Sequence, residues 1–276
     1  MHKTAFDALA ADYDADFTDS AIARHLRARV WRRLEALFKP GQRVLELGCG
    51  TGEDAAFLAG RSVFVHATDA SPTMRHVAAH KLARFIDVGL AQVEALDLRA
   101  LPQASFGGPY DGALANFGVL NSLDSWAEIG AWLAARLRPG ACVGLGVMPP
   151  YCLFELAWHG AHGEWDVALR RLRGARFQPS PNSPPLTISY PTPRRLLRAL
   201  RPHFRRVRLR PLGLALPPSD VYGALERRPR LLRALLRLDD ALQAPFLSAL
   251  SDHYWLELVR HDKLNRQEAA RVLELG

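Results

Sequence analysis

A chain of 276 residues is long enough to bury one sizeable core, and with 49% hydrophobic and 23% charged residues it has the balance of an ordinary globular protein. The formal charge of +8 invites a polyanionic partner, yet of the 36 basic residues only four are lysine, at 3, 39, 81 and 263. Much of the arginine alternates with leucine, as in RRLLRALRPHFRRVRLR at 194–210, which is the pattern of a solvated face rather than of a nucleic-acid site; an acidic lipid or acidic substrate stays open. The three cysteines (49, 142, 152) form no CxxC pair, no leader pattern is present, and no stretch reaches the roughly 18 apolar residues of a membrane span. A cytoplasmic protein with no membrane span is expected.

Residues 18–38 carry apolar positions at helical spacing behind a Thr-Asp-Ser start, and Pro40-Gly41 stops that helix. Strand-like runs at 43–47, 62–68, 91–96, 110–116 and 142–148 then alternate with helical runs at 53–60, 71–85 and 125–137, the last ending at Arg138-Pro139-Gly140. Such alternation predicts a doubly wound, mostly parallel α/β sheet. Regularity breaks at 149–193, which is aromatic in its front half and proline-rich in its back half. A helix at 194–201, a strand at 207–213, helices over 218–250 broken at Pro229 and Pro245, and a strand at 253–261 complete the pattern.

The first strand runs into VLELGCGTGEDAAF at 44–57. Glycines at 48 and 50 suit a dinucleotide turn, but the third is Gly52, and Glu53 and Asp54 follow where a pyrophosphate would sit. Carboxylates at a helix N-terminus repel that ligand by about 1 kcal/mol per charge, and no Lys-Ser/Thr follows to make a phosphate loop. Glu46, at the carboxyl end of the strand, suits instead a ligand with an ammonium group, and the glycines allow close approach to the backbone. Asp69 ends the next strand, where a carboxylate can accept ribose hydroxyls; Asp97 follows the third. A cationic, ammonium-bearing nucleoside is S-adenosylmethionine.

ELGCGTG, ATDAS, ALDL and YDGALANFG, in that order and spacing, resemble the class I, Rossmann-like S-adenosylmethionine-dependent methyltransferases over residues 6–148. The entry FDALAADYDADF is similar to that of the quinone-biosynthesis-type enzymes acting on small molecules. The resemblance implies a seven-stranded sheet with helical lid insertions, closed by an antiparallel hairpin edge. The resemblance has no motif for the middle insertion, and the pattern of elements divides the chain into four regions: an N-terminal helical cap (1–40), a cofactor-binding core (41–148), a lid or acceptor insertion (149–193), and the rest of the core (194–276) with a second helical insertion at about 216–250. The resemblance also implies a cofactor set. Glu46 holds the methionine ammonium; Gly48, Cys49, Gly50, Thr51 and Gly52 line the methionine and ribose. Asp69, with Ala70 and Met74 beside it, binds the ribose, and Leu96 and Asp97 flank the adenine. Asn116, Phe117 and Gly118 border the transferable methyl, and Tyr13 reaches the methionine carboxylate or serves packing. No metal is expected.

Methyl transfer from a sulfonium needs alignment above all, and a base only where the acceptor loses a proton. The weak candidates for that base are His159, His162, His253 and Tyr151, with Tyr222 as a further hydrogen-bonding group; each has a structural reading as well. No Asn/Asp-Pro-Pro-aromatic motif follows the fourth strand, and Cys152 lacks a second motif, so nucleic acid is the disfavoured substrate. Tyr151, Phe154, Trp158, Trp165 and Phe177 suggest a roof over an apolar small molecule, hydrophobic or aromatic, methylated on oxygen by in-line displacement, in a monomer or homodimer. Two alternatives stay open: an RNA- or protein-modifying methyltransferase with a groove lined by Arg170, Arg171, Arg173 and Arg176, and a cofactor-binding relative that transfers no methyl.

Overall fold

The computed structural model describes residues 4–8, 10, 13–14, 18–101, 107–178, 181 and 183–261. Helix α1 (Ala21–Leu37) buries Ile22, Leu26, Val30 and Leu34 at four-residue intervals. Ser20 fixes its start by accepting a 3.0 Å hydrogen bond from the Ala23 amide. The chain then alternates through β1 (Arg43–Leu47), α2 (Glu53–Ala59), β2 (Phe64–Asp69), α3 (Pro72–Asp87), β3 (Ala91–Ala95), β4 (Tyr110–Ala115), α4 (Ala127–Arg136) and β5 (Leu137–Val147). An inserted stretch follows, with α5 (Leu153–Ala161), the single turns α6 (Trp165–Ala168) and α7 (Arg170–Arg173), and the hairpin of β6 (Ala175–Phe177) and β7 (Leu186–Ile188). Helix α8 (Pro193–Leu200), β8 (Phe204–Leu212), α9 (Tyr222–Glu226), α10 (Pro229–Ala241) and β9 (His253–Arg260) complete it.

Seven strands make one sheet in the order β3-β2-β1-β4-β5-β9-β8. The first five pair in parallel, while β9 lies antiparallel between β5 and β8. Strand pleating sends alternate residues to opposite layers. Leu45 and Leu47 of β1 face a core with Trp126, Trp132 and Leu196, whereas Val44 faces one with Leu26, Leu34 and Leu58. Helices on both faces of a parallel sheet give the expected Rossmann-like α/β architecture, and the strand order reverses between β1 and β4, where open sheets bind ligands.

Two expectations need correction. Arg138-Pro139-Gly140, read as a helix stop before a strand, lies inside β5, which begins at Leu137 because that residue already pairs with Tyr110. Gly140 takes φ +80° there, and the pairing shifts register between Tyr110 and Gly112, so β5 absorbs the turn as an irregularity. The back half of 149–193, read only as proline-rich, holds the β6–β7 hairpin. The strand expected at 207–213 begins at Phe204.

The arginine-rich stretch behaves as a solvated face. Arg194, Arg195 and Arg198 of α8 are exposed, while Leu196 and Leu200 are buried against the sheet. No helix of the described residues is long and apolar enough to cross a membrane.

Candidate functional site

A cavity of about 600 Å3 opens at the carboxyl ends of the parallel strands. Its first wall is the turn after β1, where Gly48, Gly50 and Gly52 all take positive φ. At Gly48 a Cβ would stand 2.5 Å from Val119, so the position admits no side chain. Gly48, Cys49, Gly50 and Thr51 line the cavity, as do Glu46, Asp69, Ala70, Met74, Leu96, Asp97, Asn116, Phe117, Gly118 and Tyr13. Gly52 does not. It caps α2 in the left-handed conformation, and its Cα hydrogens face Ala78 of α3, where a Cβ would be 3.2 Å away. Its role is helix packing, a correction to the expectation that it lines the ligand.

Two carboxylates at the strand ends differ in kind. Asp69 is held from behind: its oxygens accept from the Gly50 amide at 3.0 Å and the Ser71 amide at 2.8 Å. Burial pushes its carboxyl somewhat above the usual range, against those two amide donors. Glu46 is buried, and its Oε2 has no hydrogen-bond partner. Burial first, and then the nearby Asp54 carboxylate, push Glu46 well above the ordinary carboxylate range. A buried, orphaned carboxyl oxygen beside a glycine cradle is a site for a cationic donor.

Sequence reasoning placed Glu53 and Asp54 as bare charge at the helix start, and both prove to be paired. Glu53 bonds to Lys81, which also meets Asp14 at 2.6 Å. Asp54 Oδ1 accepts from Arg27 at 2.8 Å and from the Trp31 indole at 2.7 Å; its Oδ2 accepts from Asn116 at 2.7 Å. Asn116 in turn accepts from the Phe117 amide at 2.9 Å, and Phe117 holds φ +49°, a strained conformation for a non-glycine residue. The Arg27 guanidinium lies 4.8 Å from the Phe117 ring centroid. Helix α1 thus braces the loop after β4 through Asp54, a connection between residues 27 apart in sequence that no local pattern signals. Asp97 is bonded to Arg99 through 3.0 and 3.1 Å contacts, which hold its carboxyl below the usual range despite burial.

The opposite wall comes from the inserted stretch. Phe177, Leu186, Ile188 and Tyr190 line it together with Met148, and Phe6 packs on Phe177 with ring centroids 5.4 Å apart. The hairpin is anchored by Asn121, whose amide donates to the Met148 and Ser189 carbonyls at 2.9 and 2.7 Å. Exposed Tyr151 and Trp165, offered as roof aromatics, lie outside the lining, as do Phe154 and Trp158.

Of the four candidate bases only His253 lines the cavity. His159 is buried between Glu164 at 2.5 Å and Asp220 at 3.4 Å; His162 is exposed and donates to the Trp158 carbonyl at 2.7 Å. Tyr222 lines the cavity too, its phenol pushed up by burial and then by Asp252. Two of the four arginines proposed for an open groove are committed inward, Arg170 and Arg171 both bonding to Glu155. Arg173 pairs with Asp166 at the surface, and Arg176 remains at the cavity edge. Cys152 is buried, and desolvation pushes its thiol up to about 12, the state of a packing residue rather than a nucleophile.

Comparison with known proteins agrees with this geometry. Residues 45–143 match the methyltransferase domain family. A demethylmenaquinone methyltransferase from Beutenbergia cavernae is 36% identical over 155 residues, 54% of this chain and 60% of that protein, so the chain spans under two thirds of its relative. An S-adenosylmethionine-dependent methyltransferase from Mesorhizobium loti shares the fold with TM-score 0.55 at 19% identity, over 88% of this chain and all of that one. The CcbJ methyltransferase from Streptomyces caelestis does so with TM-score 0.59 at 15% identity, over 94% and 99% of the two chains. The fold is the Rossmann-like one of methyltransferases, and the matched residues form a methyltransferase domain. The chain is similar to the class I S-adenosylmethionine-dependent methyltransferases in fold and in the domain that residues 45–143 match.

Proposed function

We propose that the protein transfers a methyl group from S-adenosylmethionine to a small hydrophobic or aromatic molecule, on oxygen, by in-line displacement. The observation that carries this reading is the two-sided cavity: polar strand ends on one wall, an apolar hairpin on the other. The first wall fits the cofactor. Glu46 Oε2 is the orphaned acceptor for the ammonium, Gly48 and Gly50 let the ligand lie against backbone, and Asp69 faces the ribose with its carboxylate already oriented by two amides. Leu96 and Asp97 flank the base, and Tyr13 and Thr51 close the methionine end. The bound cofactor supplies an electrophilic methyl on a sulfonium.

The second wall, the acceptor insertion of 149–193, acts as a lid. Phe177, Leu186 and Ile188 offer apolar surface to the acceptor, and aligning it with the methyl carries most of the rate. Burial of the reacting groups away from water strengthens that alignment. The demethylmenaquinone methyltransferase similarity supports an apolar, ring-bearing acceptor class. We place the enzyme among soluble cytoplasmic proteins acting on a diffusible substrate.

Calorimetric titration of S-adenosylhomocysteine into wild type and Asp69→Ala tests the first half. Micromolar binding that collapses in the variant is expected; no binding to wild type, with or without candidate acceptors, removes the assignment. Labelled-methyl transfer across a panel of phenols, amines and activated carbons then tests the acceptor class.

A further inference from the structure

Where β9 begins, Asp252 and His253 stand at the back of the cavity inside a buried ionic cluster that the cofactor wall does not use. Asp252 is 4% exposed, and its Oδ2 meets His253 Nδ1 at 2.9 Å. Its other oxygen accepts from Arg171 Nη2 at 2.6 Å, and its backbone carbonyl accepts from Arg171 Nη1 at 2.8 Å. Arg171 is 6% exposed and also donates to Glu155 at 3.0 Å, where Arg170 completes the cluster with bonds of 3.0 and 3.1 Å.

Burial alone would favour a neutral Asp252, but the His253 imidazole and the Arg171 guanidinium outweigh it and hold the carboxyl below the usual range. An ionised carboxylate can only accept, so Nδ1 of His253 carries the hydrogen it donates. In the neutral ring Nε2 is then a lone pair. Among the described residues that nitrogen has no hydrogen-bond partner, and the residue lines the cavity. Phe117, after β4, faces this ring, and the charged and titratable groups acting on Asp252 beside it are Arg171 of α7 and Tyr222 of α9. Phe117 meets it edge-on, with centroids 5.6 Å apart at 84°, and Phe117 belongs to the loop expected to border the transferable methyl.

We propose that His253 is the base that takes the proton from an acceptor hydroxyl, held in the reactive tautomer by Asp252, with Arg171 and Glu155 as positioning residues. This rests on the methyl-transfer reading above and deepens it by fixing the acceptor as a phenol, enol or alcohol. The hydroxyl proton passes to His253 Nε2. An oxygen electron pair forms the new O–CH3 bond while the methyl–sulfur bond of the donor sulfonium breaks, its pair staying on sulfur as the neutral thioether. The imidazolium is stabilised by Asp252 and returns its proton to water as product leaves. Arg171 keeps Asp252 charged, so the cluster sets the tautomer rather than touching the acceptor.

The test has two readouts. In histidine-15N-labelled protein saturated with S-adenosylhomocysteine, NMR is expected to show His253 at pH 8 as the Nδ1–H tautomer, assigned by its loss in His253→Gln. An Nε2–H tautomer overturns the dyad. In labelled-methyl assays on the acceptor panel, His253→Gln is expected to lower kcat on a hydroxyl acceptor by at least ~100-fold. It should also remove the acid limb of the pH profile while leaving the S-adenosylhomocysteine Kd within about twofold. Asp252→Asn is expected to mix the tautomers, and where it fails to fold, the His253→Gln pair of measurements still decides. Full transfer by His253→Gln, or transfer by wild type to amine or carbon acceptors alone, overturns the base. A wild type that binds no S-adenosylhomocysteine overturns the methyl-transfer reading instead, whatever the tautomer.

Discussion

The wall that begins at the β1 turn and the wall supplied by residues 153–190 face each other across one cavity and are made of different material. On the first, backbone amides, three positive-φ glycines and short acidic side chains are bound into a rigid frame, with Asp54 alone accepting three hydrogen bonds. On the second, a hairpin with three-residue strands presents Phe177, Leu186 and Ile188 and is moored to the core through Asn121. Polar groups with fixed directions suit a ligand that never changes. An apolar surface on a short hairpin can be exchanged without disturbing the sheet, which is how one fold serves many acceptors.

If the frame is as rigid as its hydrogen bonds imply, breaking it should cost the most. Asp54→Ala leaves the guanidinium of Arg27 and the Asn116 amide without their carboxylate, and a loss of about 3–5 kcal/mol in unfolding free energy is expected in urea titrations. A smaller loss than ~1 kcal/mol would mean that α1 does not brace the loop after β4. Gly48→Ala comes next. Its Cβ would meet Val119 at 2.5 Å in a backbone with φ +63°, so S-adenosylhomocysteine affinity should fall by at least ~100-fold, about 2.7 kcal/mol, in calorimetry.

A third experiment uses protons. Burial, and then the nearby Asp54, shift Glu46 toward its neutral form, whereas an ammonium partner favours the carboxylate. Binding should therefore release a proton from Glu46, and affinity should strengthen as pH rises from the ordinary carboxylate range through the raised value of Glu46. Calorimetry in two buffers of different ionisation heat reads this directly; equal apparent enthalpies would deny Glu46 that role. At the small end stands the second wall. Phe177→Ala should leave S-adenosylhomocysteine affinity within about twofold, some 0.4 kcal/mol, while lowering transfer to hydrophobic acceptors. Equal damage to both would make the two walls a single unit.

The same division separates what could be read from the sequence from what could not. The core was legible because parallel strands buried on both faces appear as apolar runs such as RVLEL, and the turn after β1 advertises its conformation in glycine. Glu46 and Asp69 were recognisable because strand ends place residues predictably. The β6–β7 hairpin was not, since strands of three residues carry no usable period and the prolines between them read as loop. Nor could His253 be told from His159 or His162. What distinguishes them is a third dimension: His159 is boxed between Glu164 and Asp220, while His253 meets the cavity. Arg27 escaped for the same reason, its partner Asp54 lying on another helix.

The position of β8 as the last strand of the sheet gives the arginine surplus a further meaning. A nine-residue strand with one unpaired side is a template for another chain to add to, the first step of aggregation. Arg205 and Arg206 are exposed along β8, Arg208 is half-buried within it, and Pro211 removes a donor near its end. Two copies brought edge to edge would set these cations against each other. On this edge, the charge that resembles an invitation to polyanions opposes the pairing of two such strands.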